Sequence, residues 1–293
     1  MMWEGVCSDK EEPSMGKVAF ITGTSSGFGL LTAVVLAGKG YKVVATMRDL
    51  SKQEALLHEA ARAGVDADAL IETVRLDVTD SEEVARVVAD AIARYGAIDV
   101  LVNNAGFALG GFVEEVPLED WRQQMETNFF GLIAVTKEVL PSMRERGSGT
   151  IVNIGSVSGR IAFPGYAPYA ASKFAVEGFS ESLRHEMAPF GVRIVLVEPG
   201  AYRTAIWGKG IAAIRTSEAS PYAGPMKAMM SYSQRAAETA PDPREVAELV
   251  GRIADARSPR LRYALGRGSA LLLAAKALLP WSWLEGAIRR ALR

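Results

Sequence analysis

The 293-residue chain has a single cysteine, Cys7, and two histidines, His58 and His185. One cysteine cannot form an intramolecular disulfide, so a small secreted scaffold built on disulfides is excluded. A zinc site is not expected either, because zinc sites need clusters of Cys and His. Neither histidine lies in a motif for a Ser-His-Asp triad. We therefore expect chemistry that uses no metal and no histidine.

The chain also lacks an excess of charge. It has 33 Lys and Arg against 34 Asp and Glu, so no general positive field exists and nucleic acid is not an expected partner. Its hydrophobic fraction of 49% is that of a globular protein. Residues 1–16 have four carboxylates and no apolar run. We expect them to be a mobile tail rather than a secretory signal, and the protein to be cytoplasmic.

Short apolar runs alternate with amphipathic segments between Val18 and Val197. Such runs are typical of parallel strands that are covered on both faces. The β-α-β-α alternation predicts a doubly wound, Rossmann-type α/β domain over residues 17–266. We expect a mostly parallel sheet of seven strands with helices on both faces.

The pattern changes after Pro199. Residues 201–240 are rich in Gly, Pro and Met and too long for a plain connection. They predict a substrate loop, and a surface insertion that packs on itself is the alternative. Residues 267–293 predict an apolar and basic helical extension, shorter than the ~20 apolar residues of a membrane span. It can pack beside the substrate loop, form a dimer contact, or lie at a membrane surface.

A glycine-rich turn, Thr22–Gly29, follows the first predicted strand and opens the first helix. Glycines allow a tight turn and let the backbone approach a pyrophosphate at the helix N-terminus. A purely structural loop is the alternative, but the position of the turn favours a dinucleotide site.

The end of the second predicted strand selects the cofactor. An NAD site would place Asp or Glu there, whereas this chain has Met47 followed by Arg48. An arginine can hold a 2′-phosphate bidentately, so we predict NADP(H) rather than NAD(H). In the alternative reading, Arg48 pairs with Asp49 on the surface, and Asp49 binds the ribose of NAD.

Two further strand ends carry candidate residues. Asp77, beside Val78, ends the third strand at the edge where ligands bind, and the adenine amino group is its expected partner. It can instead cap the next helix, although Asp80 or Ser81 fits that role better. Asn103–Gly106 ends the fourth strand with small residues that let a dinucleotide lie close. Its Asn side chains can hold loop backbone in place.

Ser156, Tyr169 and Lys173 form the strongest constellation. Tyr169 and Lys173 are four residues apart and share one face of a predicted helix, which follows a strand that ends at Ser156. A tyrosine can act as a general acid or base. Its free pKa is near 10, and we expect the Lys173 cation, helped by the positive nicotinamide of an oxidised cofactor, to lower it. Ser156 can donate to a substrate oxygen.

Taken in order, these motifs resemble the short-chain dehydrogenase/reductase family. The glycine turn, the Asn-Asn-Ala-Gly segment, the serine, the Tyr-x-x-x-Lys pair and Pro199-Gly200 all occur between about Lys17 and Thr204. The resemblance implies an oxidoreductase that interconverts a carbonyl and an alcohol, and a homodimer or homotetramer. Within the family, the chain is most similar to NADP-preferring dehydrogenases of hydroxysteroids and retinoids.

The resemblance also assigns site residues. The catalytic residues are Asn128, Ser156, Tyr169 and Lys173, with Asn128 holding a water that connects Lys173 to solvent and Lys173 holding ribose hydroxyls. Tyr202 stands where many members have Val or Ile, and Thr204 is at the carboxamide-binding position. The expected cofactor-binding residues are Gly23, Ser25, Ser26, Gly27, Phe28, Gly29, Arg48, Asp77, Val78, Asn104, Ala105, Gly106, Tyr169, Lys173, Pro199, Gly200, Tyr202 and Thr204.

The substrate is expected to be a bulky apolar ketone or alcohol, such as a steroid, a retinoid or a lipid. The Met- and aromatic-rich loop and the apolar tail suggest it. The expected substrate residues are Leu109, Phe163, Tyr166, Tyr202, Trp207 and Met226. A non-catalytic NADP-binding or sensing protein and an NAD-dependent alcohol dehydrogenase of the same fold remain as alternatives.

Overall fold

A computed structural model describes residues 16–204 and 219–291 of the chain. Its centre is a seven-stranded sheet of order β3-β2-β1-β4-β5-β6-β7, in which every pairing is parallel. The strands are β1 (Val18–Thr22), β2 (Lys42–Met47), β3 (Ile71–Arg75), β4 (Val100–Asn103), β5 (Gly149–Ile154), β6 (Val192–Pro199) and β7 (Arg262–Leu265). The predicted doubly wound α/β fold is confirmed. The expected tail up to residue 15 and the candidate Trp207 lie outside the described residues.

Helices cover both faces of the sheet. They are α1 (Gly27–Gly38), α2 (Gln53–Arg62), α3 (Ala67–Leu70), α4 (Ser81–Tyr95), α5 (Leu118–Met125), α6 (Gly131–Arg146), α7 (Ala167–Met187), α8 (Ala223–Glu238), α9 (Arg244–Asp255), α10 (Ser269–Leu278) and α11 (Trp281–Ala291). One π-helical turn, Glu126–Phe130, joins α5 to α6.

The period of two along each strand divides the core into two layers. In β1, Ala19 and Ile21 belong to the layer that contains α1 and α9, whereas Val18 and Phe20 belong to the layer of α4 and α6. Because both faces are covered, all five residues of β1 are buried. This explains why the strands read as nearly continuous apolar runs rather than as alternating ones.

The strand order reverses between β1 and β4, which are neighbours in the sheet. The connections after these two strands leave in opposite directions, so a crevice opens at their carboxyl ends. The glycine turn follows β1, and Asn104–Gly106 follows β4. The topology therefore brings the two motifs to one place.

The segment 201–240 differs from the predicted loop, because it contains the 16-residue helix α8. Pro225 falls in the first turn of α8, where its missing N–H costs no helical hydrogen bond. The C-terminal extension forms two helices, α10 and α11, that separate at Leu279–Pro280. None of the helices within residues 16–204 and 219–291 is long and apolar enough to cross a membrane.

A buried polar ladder ties the middle of the sheet to the helices beneath it. The Asn103 amide donates to Thr136 Oγ1 and to Asn153 Oδ1, both at 2.9 Å. The Asn153 amide donates to Ser180 Oγ at 2.8 Å. All four side chains are buried, so each hydrogen bond replaces one that water would otherwise make. The ladder holds β4 and β5 against α6 and α7.

We expect Asn153→Ala to lower the free energy of unfolding by about 1–3 kcal/mol, because it leaves buried donors and acceptors unpaired. Urea unfolding followed by circular dichroism measures this loss. Ser148→Ala, at an exposed position next to the same strand, is the control and should have little effect. Equal stability of the two variants would contradict the role given to the ladder.

Candidate active site

The glycine turn fits against the end of β4 because it lacks side chains. A Cβ at Gly23 would lie 2.8 Å from Ala105 Cα, and one at Gly29 would lie 2.4 Å from the Asn104 amide nitrogen. That amide donates to the carbonyls of Thr22 and Gly23, at 2.8 and 2.9 Å. Asn104 thus holds the turn open at the mouth of the crevice.

The crevice is a cleft of about 660 Å³ lined by residues from the carboxyl ends of the strands, α7, α8 and α10. This volume is that of a typical small-molecule site. The expected site residues that line it are Gly23, Ser25, Ser26, Gly27, Phe28, Arg48, Val78, Asn104, Ala105, Gly106, Ser156, Phe163, Tyr166, Tyr169, Lys173, Pro199, Gly200, Tyr202 and Thr204.

Asp77 does not line this cleft. Its Oδ1 accepts from the Thr79 backbone N–H at 3.0 Å and from the Thr79 hydroxyl at 2.8 Å, so its side chain closes a local turn. Asp80 caps α4 by accepting from Glu83 N at 3.0 Å, as the sequence suggested. Val78, beside Asp77, does line the cleft.

Two expected substrate residues lie elsewhere. Leu109 and Met226 are 6% and 1% exposed, and neither lines the cleft. The cleft instead receives Met229, Tyr232, Ser233 and Ala236 from α8, together with Leu272 from α10. The four α8 residues follow the spacing i, i+3, i+4, i+7 of one helix face. Reading residues 223–238 as an amphipathic helix would have found them.

Ser156, Tyr169 and Lys173 converge at the floor of the cleft. The Tyr169 hydroxyl shares a hydrogen bond with Ser156. Ser156 Oγ also accepts from the backbone N–H of Ser158 at 3.0 Å, which fixes its rotamer. Lys173 Nζ donates to the Ile154 carbonyl at 2.7 Å and lies 5.8 Å from the centre of the Tyr169 ring.

Burial dominates the electrostatics of this group. It raises the pKa of Tyr169 above its usual value of 10, and the hydrogen bond from Ser156 offsets only part of the effect. The lowering expected from Lys173 together with an oxidised cofactor stays a prediction. Burial also lowers the pKa of Lys173 to about 8, and the nearby Glu177 opposes that change.

Asn128 lies on the π-helical turn, 2% exposed. Its amide donates to the Phe107 carbonyl at 2.9 Å and to Ser172 Oγ at 3.1 Å, and its Oδ1 accepts from Phe107 N at 3.0 Å. Such turns often occur at functional sites. Here the turn connects the segment after β4 to the residue that precedes Lys173.

Two charged residues, Arg48 and Asp49, follow β2 and have different partners. Asp49 Oδ1 accepts from the backbone and the hydroxyl of Ser51, at 3.1 and 2.6 Å, and Oδ2 lies 3.1 Å from Lys52 Nζ. Arg48 is exposed, lines the cleft, and makes no ion pair with the residues that the structure describes. Asp49 therefore pairs with Lys52 and not with Arg48.

Comparison with known proteins identifies the family. A family model described as short chain dehydrogenase matches residues 17–213, which include the turn, the Asn-Asn-Ala-Gly segment and the Ser-Tyr-Lys group. The chain belongs to the short-chain dehydrogenase family. It is accordingly an oxidoreductase of a family that binds a nicotinamide cofactor and acts on small molecules.

Three relatives in the short-chain dehydrogenase family are similar in sequence to this chain. It is 45% identical to the uncharacterized oxidoreductase YusZ of Bacillus subtilis, over 94% of this chain and 98% of that protein. It is 44% identical to human retinol dehydrogenase 8, over 69% of this chain and 64% of that protein. It is 38% identical to human 17-beta-hydroxysteroid dehydrogenase type 1, over 84% of this chain and 76% of that protein. The chain therefore resembles hydroxysteroid and retinol dehydrogenases, as the sequence predicted.

Solved short-chain dehydrogenases share the fold. One from Streptomyces avermitilis matches with a TM-score of 0.78 and 36% identity, over 94% of this chain and 95% of the other. A metagenomic member in complex with NADP matches with a TM-score of 0.67 and 27% identity, over 86% and 98%. A member from Burkholderia phymatum in complex with NAD matches with a TM-score of 0.76 and 28% identity, over 94% and 96%. Members that bind either cofactor thus resemble this chain.

Proposed function

We propose that this short-chain dehydrogenase interconverts a carbonyl and an alcohol on a bulky apolar substrate, with NADP(H) as cofactor and Tyr169 as general acid and base. The observation that carries the proposal is the convergence of Ser156, Tyr169 and Lys173 in a cleft that apolar side chains also line. This convergence supports proton transfer to or from a substrate oxygen bound there.

The residues present fit a dinucleotide. The N-terminus of α1 has no capping side chain and no acidic residue in its first turn, so its backbone N–H groups are available to a phosphate. Gly23 and Gly29 let the turn pack against the end of β4, and Gly27 lines the cleft. Gly27 faces Thr204, whose side chain would lie 3.7 Å from a Cβ on Gly27. A bound nicotinamide cofactor supplies or accepts the hydride.

The chain's own residues handle the proton. Ser156 orients the substrate oxygen, and Tyr169 donates a proton to it in reduction or takes one from the alcohol in oxidation. Because the pKa of Tyr169 is raised, the hydroxyl is protonated at neutral pH and ready for reduction. Lys173 supplies the charge that favours tyrosinate in oxidation, and Asn128 is positioned by Phe107 and Ser172.

We expect Tyr169→Phe to reduce kcat by about 10²-fold or more, because it removes the proton donor. Cofactor affinity, measured by the fluorescence of bound NADPH, should stay near the wild-type value. Tyr222→Phe, at a tyrosine that does not line the cleft, is the matched control and should keep most of the activity. Full turnover by Tyr169→Phe would refute the catalytic assignment.

The preference for NADP(H) is supported by the charges at the end of β2. Asp49, the residue that would bind the ribose of NAD, is held by Ser51 and Lys52. Arg48 and Lys52 both line the cleft, beside Asp49. Two cations at this position favour a 2′-phosphate over a bare hydroxyl.

Replacing Arg48 with Ala should raise KM for NADPH by about tenfold or more, since a charge-assisted hydrogen bond contributes about 1.5–3 kcal/mol. KM for NADH should change little. Arg86→Ala, at an arginine on α4 that does not line the cleft, serves as the control. An equal loss with both cofactors would contradict the role given to Arg48.

The apolar substrate is supported by apolar side chains that line the cleft. The ring of Phe163 stacks on Tyr232 with centres 6.3 Å apart, and Met229 and Leu272 also line the cleft. The names of two relatives, a retinol dehydrogenase and a hydroxysteroid dehydrogenase, agree with a substrate of this kind.

We expect kcat/KM to rise with apolar size in a series of ketones from acetone to a steroid ketone. Burying each additional CH₂ contributes about 0.8 kcal/mol to binding. Oxidation of NADPH at 340 nm measures the rates. If small polar ketones react as fast as bulky apolar ones, the substrate proposal fails. If nothing reacts while NADPH binds, the non-catalytic alternative gains support.

We also propose that the protein is a cytoplasmic homo-oligomer, as the family resemblance implies. We further propose that α10 and α11 contact a membrane surface. These helices expose Leu271, Leu278, Trp281 and Trp283, each more than half accessible. From residue 267 to 291 the chain has four basic residues and one acidic one, Glu285. A symmetric contact between two copies would oppose like charges, whereas an anionic bilayer complements them.

Vesicles containing phosphatidylglycerol should sediment with the protein, and vesicles of phosphatidylcholine alone should bind less of it. Trp281→Ser with Trp283→Ser should weaken this binding, because both exposed rings are lost. Light scattering in the same buffer gives the oligomeric state. A double variant that binds vesicles normally but dissociates to monomers would show that the two helices form a subunit contact instead.

A further inference from the structure

A second ionisable group is buried behind the catalytic residues. Glu177 lies one helical turn after Lys173 on α7 and is 6% exposed. Glu198, on β6 just before Pro199-Gly200, is 1% exposed. Arg262 on β7 lies between them, with Nε at 2.9 Å from Glu177 Oε2 and 3.2 Å from Glu198 Oε1. The proposed reaction uses none of these three side chains.

Glu177 packs directly against the segment that carries Ser156. A Cβ on Gly155 would lie 3.4 Å from Glu177 Oε1, and a Cβ on Gly159 would lie 3.1 Å from Glu177 Cγ. Gly155 follows Ile154, whose carbonyl accepts from Lys173 Nζ. The Glu177 carboxyl is therefore adjacent to the backbone that positions both Ser156 and Lys173.

One oxygen of this carboxyl lacks a donor. Glu177 Oε1 is buried and receives no hydrogen bond from any residue that the structure describes. The carboxyl of Glu198 is its neighbour, because Arg262 Nε contacts both carboxyls. Two buried carboxyls around one arginine favour protonation of one of them, since the arginine carries a single positive charge.

The electrostatics agree with this arrangement. Burial, followed by repulsion from Glu198, raises the pKa of Glu177 to about 7, and Arg262 opposes the rise. Burial lowers the pKa of Lys173 to about 8, and Glu177 is the neighbouring charge that raises it. The two groups therefore change charge in the same pH range, and each favours the charged form of the other.

We propose that Glu177 is a positioning residue that controls the charge of Lys173. The ionised carboxylate keeps Lys173 protonated, and the protonated carboxyl withdraws that support. The proposal rests on the proposed function, because it acts through the effect of the Lys173 cation on Tyr169. Its consequence is a pH dependence of oxidation that Glu177 sets without contacting substrate or cofactor.

The charged groups around Glu177 come from four elements. On α7 they are Lys173 and Glu181, on β6 Glu198, on β7 Arg262, and in the turn after β5 Arg160. Arg160 Nη1 lies 3.3 Å from Glu198 Oε1, and Arg262 pairs with Glu181 as well as with Glu177. Glu181 shares the helix and the arginine with Glu177, but its side chain is 53% exposed. It is therefore the matched control.

The test measures kcat for alcohol oxidation from pH 6 to 10 in wild type, Glu177→Gln and Glu181→Gln. In Glu177→Gln, Lys173 loses its supporting charge, so tyrosinate forms less readily. The midpoint of the rise in kcat should move to higher pH by about one unit, equivalent to a tenfold loss of rate below the midpoint. Glu181→Gln should follow the wild type. An unchanged midpoint in Glu177→Gln would overturn the proposal.

A second variant separates this role from a loss of structure. Glu198→Gln removes the repulsion that raises the pKa of Glu177, so Glu177 ionises at lower pH. Near pH 6, where wild-type Glu177 is mostly protonated, kcat of Glu198→Gln should therefore exceed the wild-type value. Damage to folding would instead lower kcat at every pH. A kcat of Glu198→Gln at or below wild type near pH 6 would overturn the proposal, even if Glu177→Gln is too unstable to assay.

A stability measurement tests the ionisation of Glu177 without an activity assay. The pKa of Glu177 is raised on folding, from 4.5 to about 7. Its protonated form stabilises the folded protein fully below pH 4.5, and this contribution is lost as pH rises through about 7. Relative to Glu177→Gln, wild type should lose urea resistance between pH 5 and 7. A pH-independent difference would overturn the proposal, whereas absence of turnover in wild type would refute only the proposed function.

Discussion

Both faces of the parallel sheet are buried, and this constraint decides where chemistry can occur. A polar side chain within a strand would have to be paired inside the core, as Asn103 and Asn153 are. Groups that must meet a ligand can therefore lie only beyond the carboxyl ends of the strands. The glycine turn, Arg48, Asn104, Ser156 and Thr204, which are proposed to bind cofactor or substrate, all lie there.

The site places several ionisable groups in a poorly solvated region, which is unfavourable unless each group has partners. Lys173 has the Ile154 carbonyl, and Glu177 has Arg262. The resulting balance keeps Tyr169 protonated and Lys173 close to its point of titration. Small changes in the surrounding charge can then alter proton transfer, because solvent screens buried groups poorly.

The sequence was sufficient for the motifs that depend on local geometry. Tyr169 and Lys173 lie on one face because they are four residues apart on a helix, and Asp80 caps α4 because it directly precedes it. It was insufficient for Leu109 and Met226, whose apolar side chains are equally suited to a core and to a cleft wall. The sequence also could not show that burial raises the pKa of Tyr169 in the protein without cofactor, since burial depends on the packed structure.

The order of strands and helices, the glycine turn and the Ser-Tyr-Lys spacing were determined by the sequence alone, because each is encoded within a few residues by periodicity, backbone freedom or helical spacing. Tertiary structure decided which face of α8 lines the cleft and which carboxylates pair with Arg262. It also brought Glu177 against Gly155. These contacts join residues distant in the chain, and their strength depends on burial. Burial is a property of the packed protein and not of any one segment.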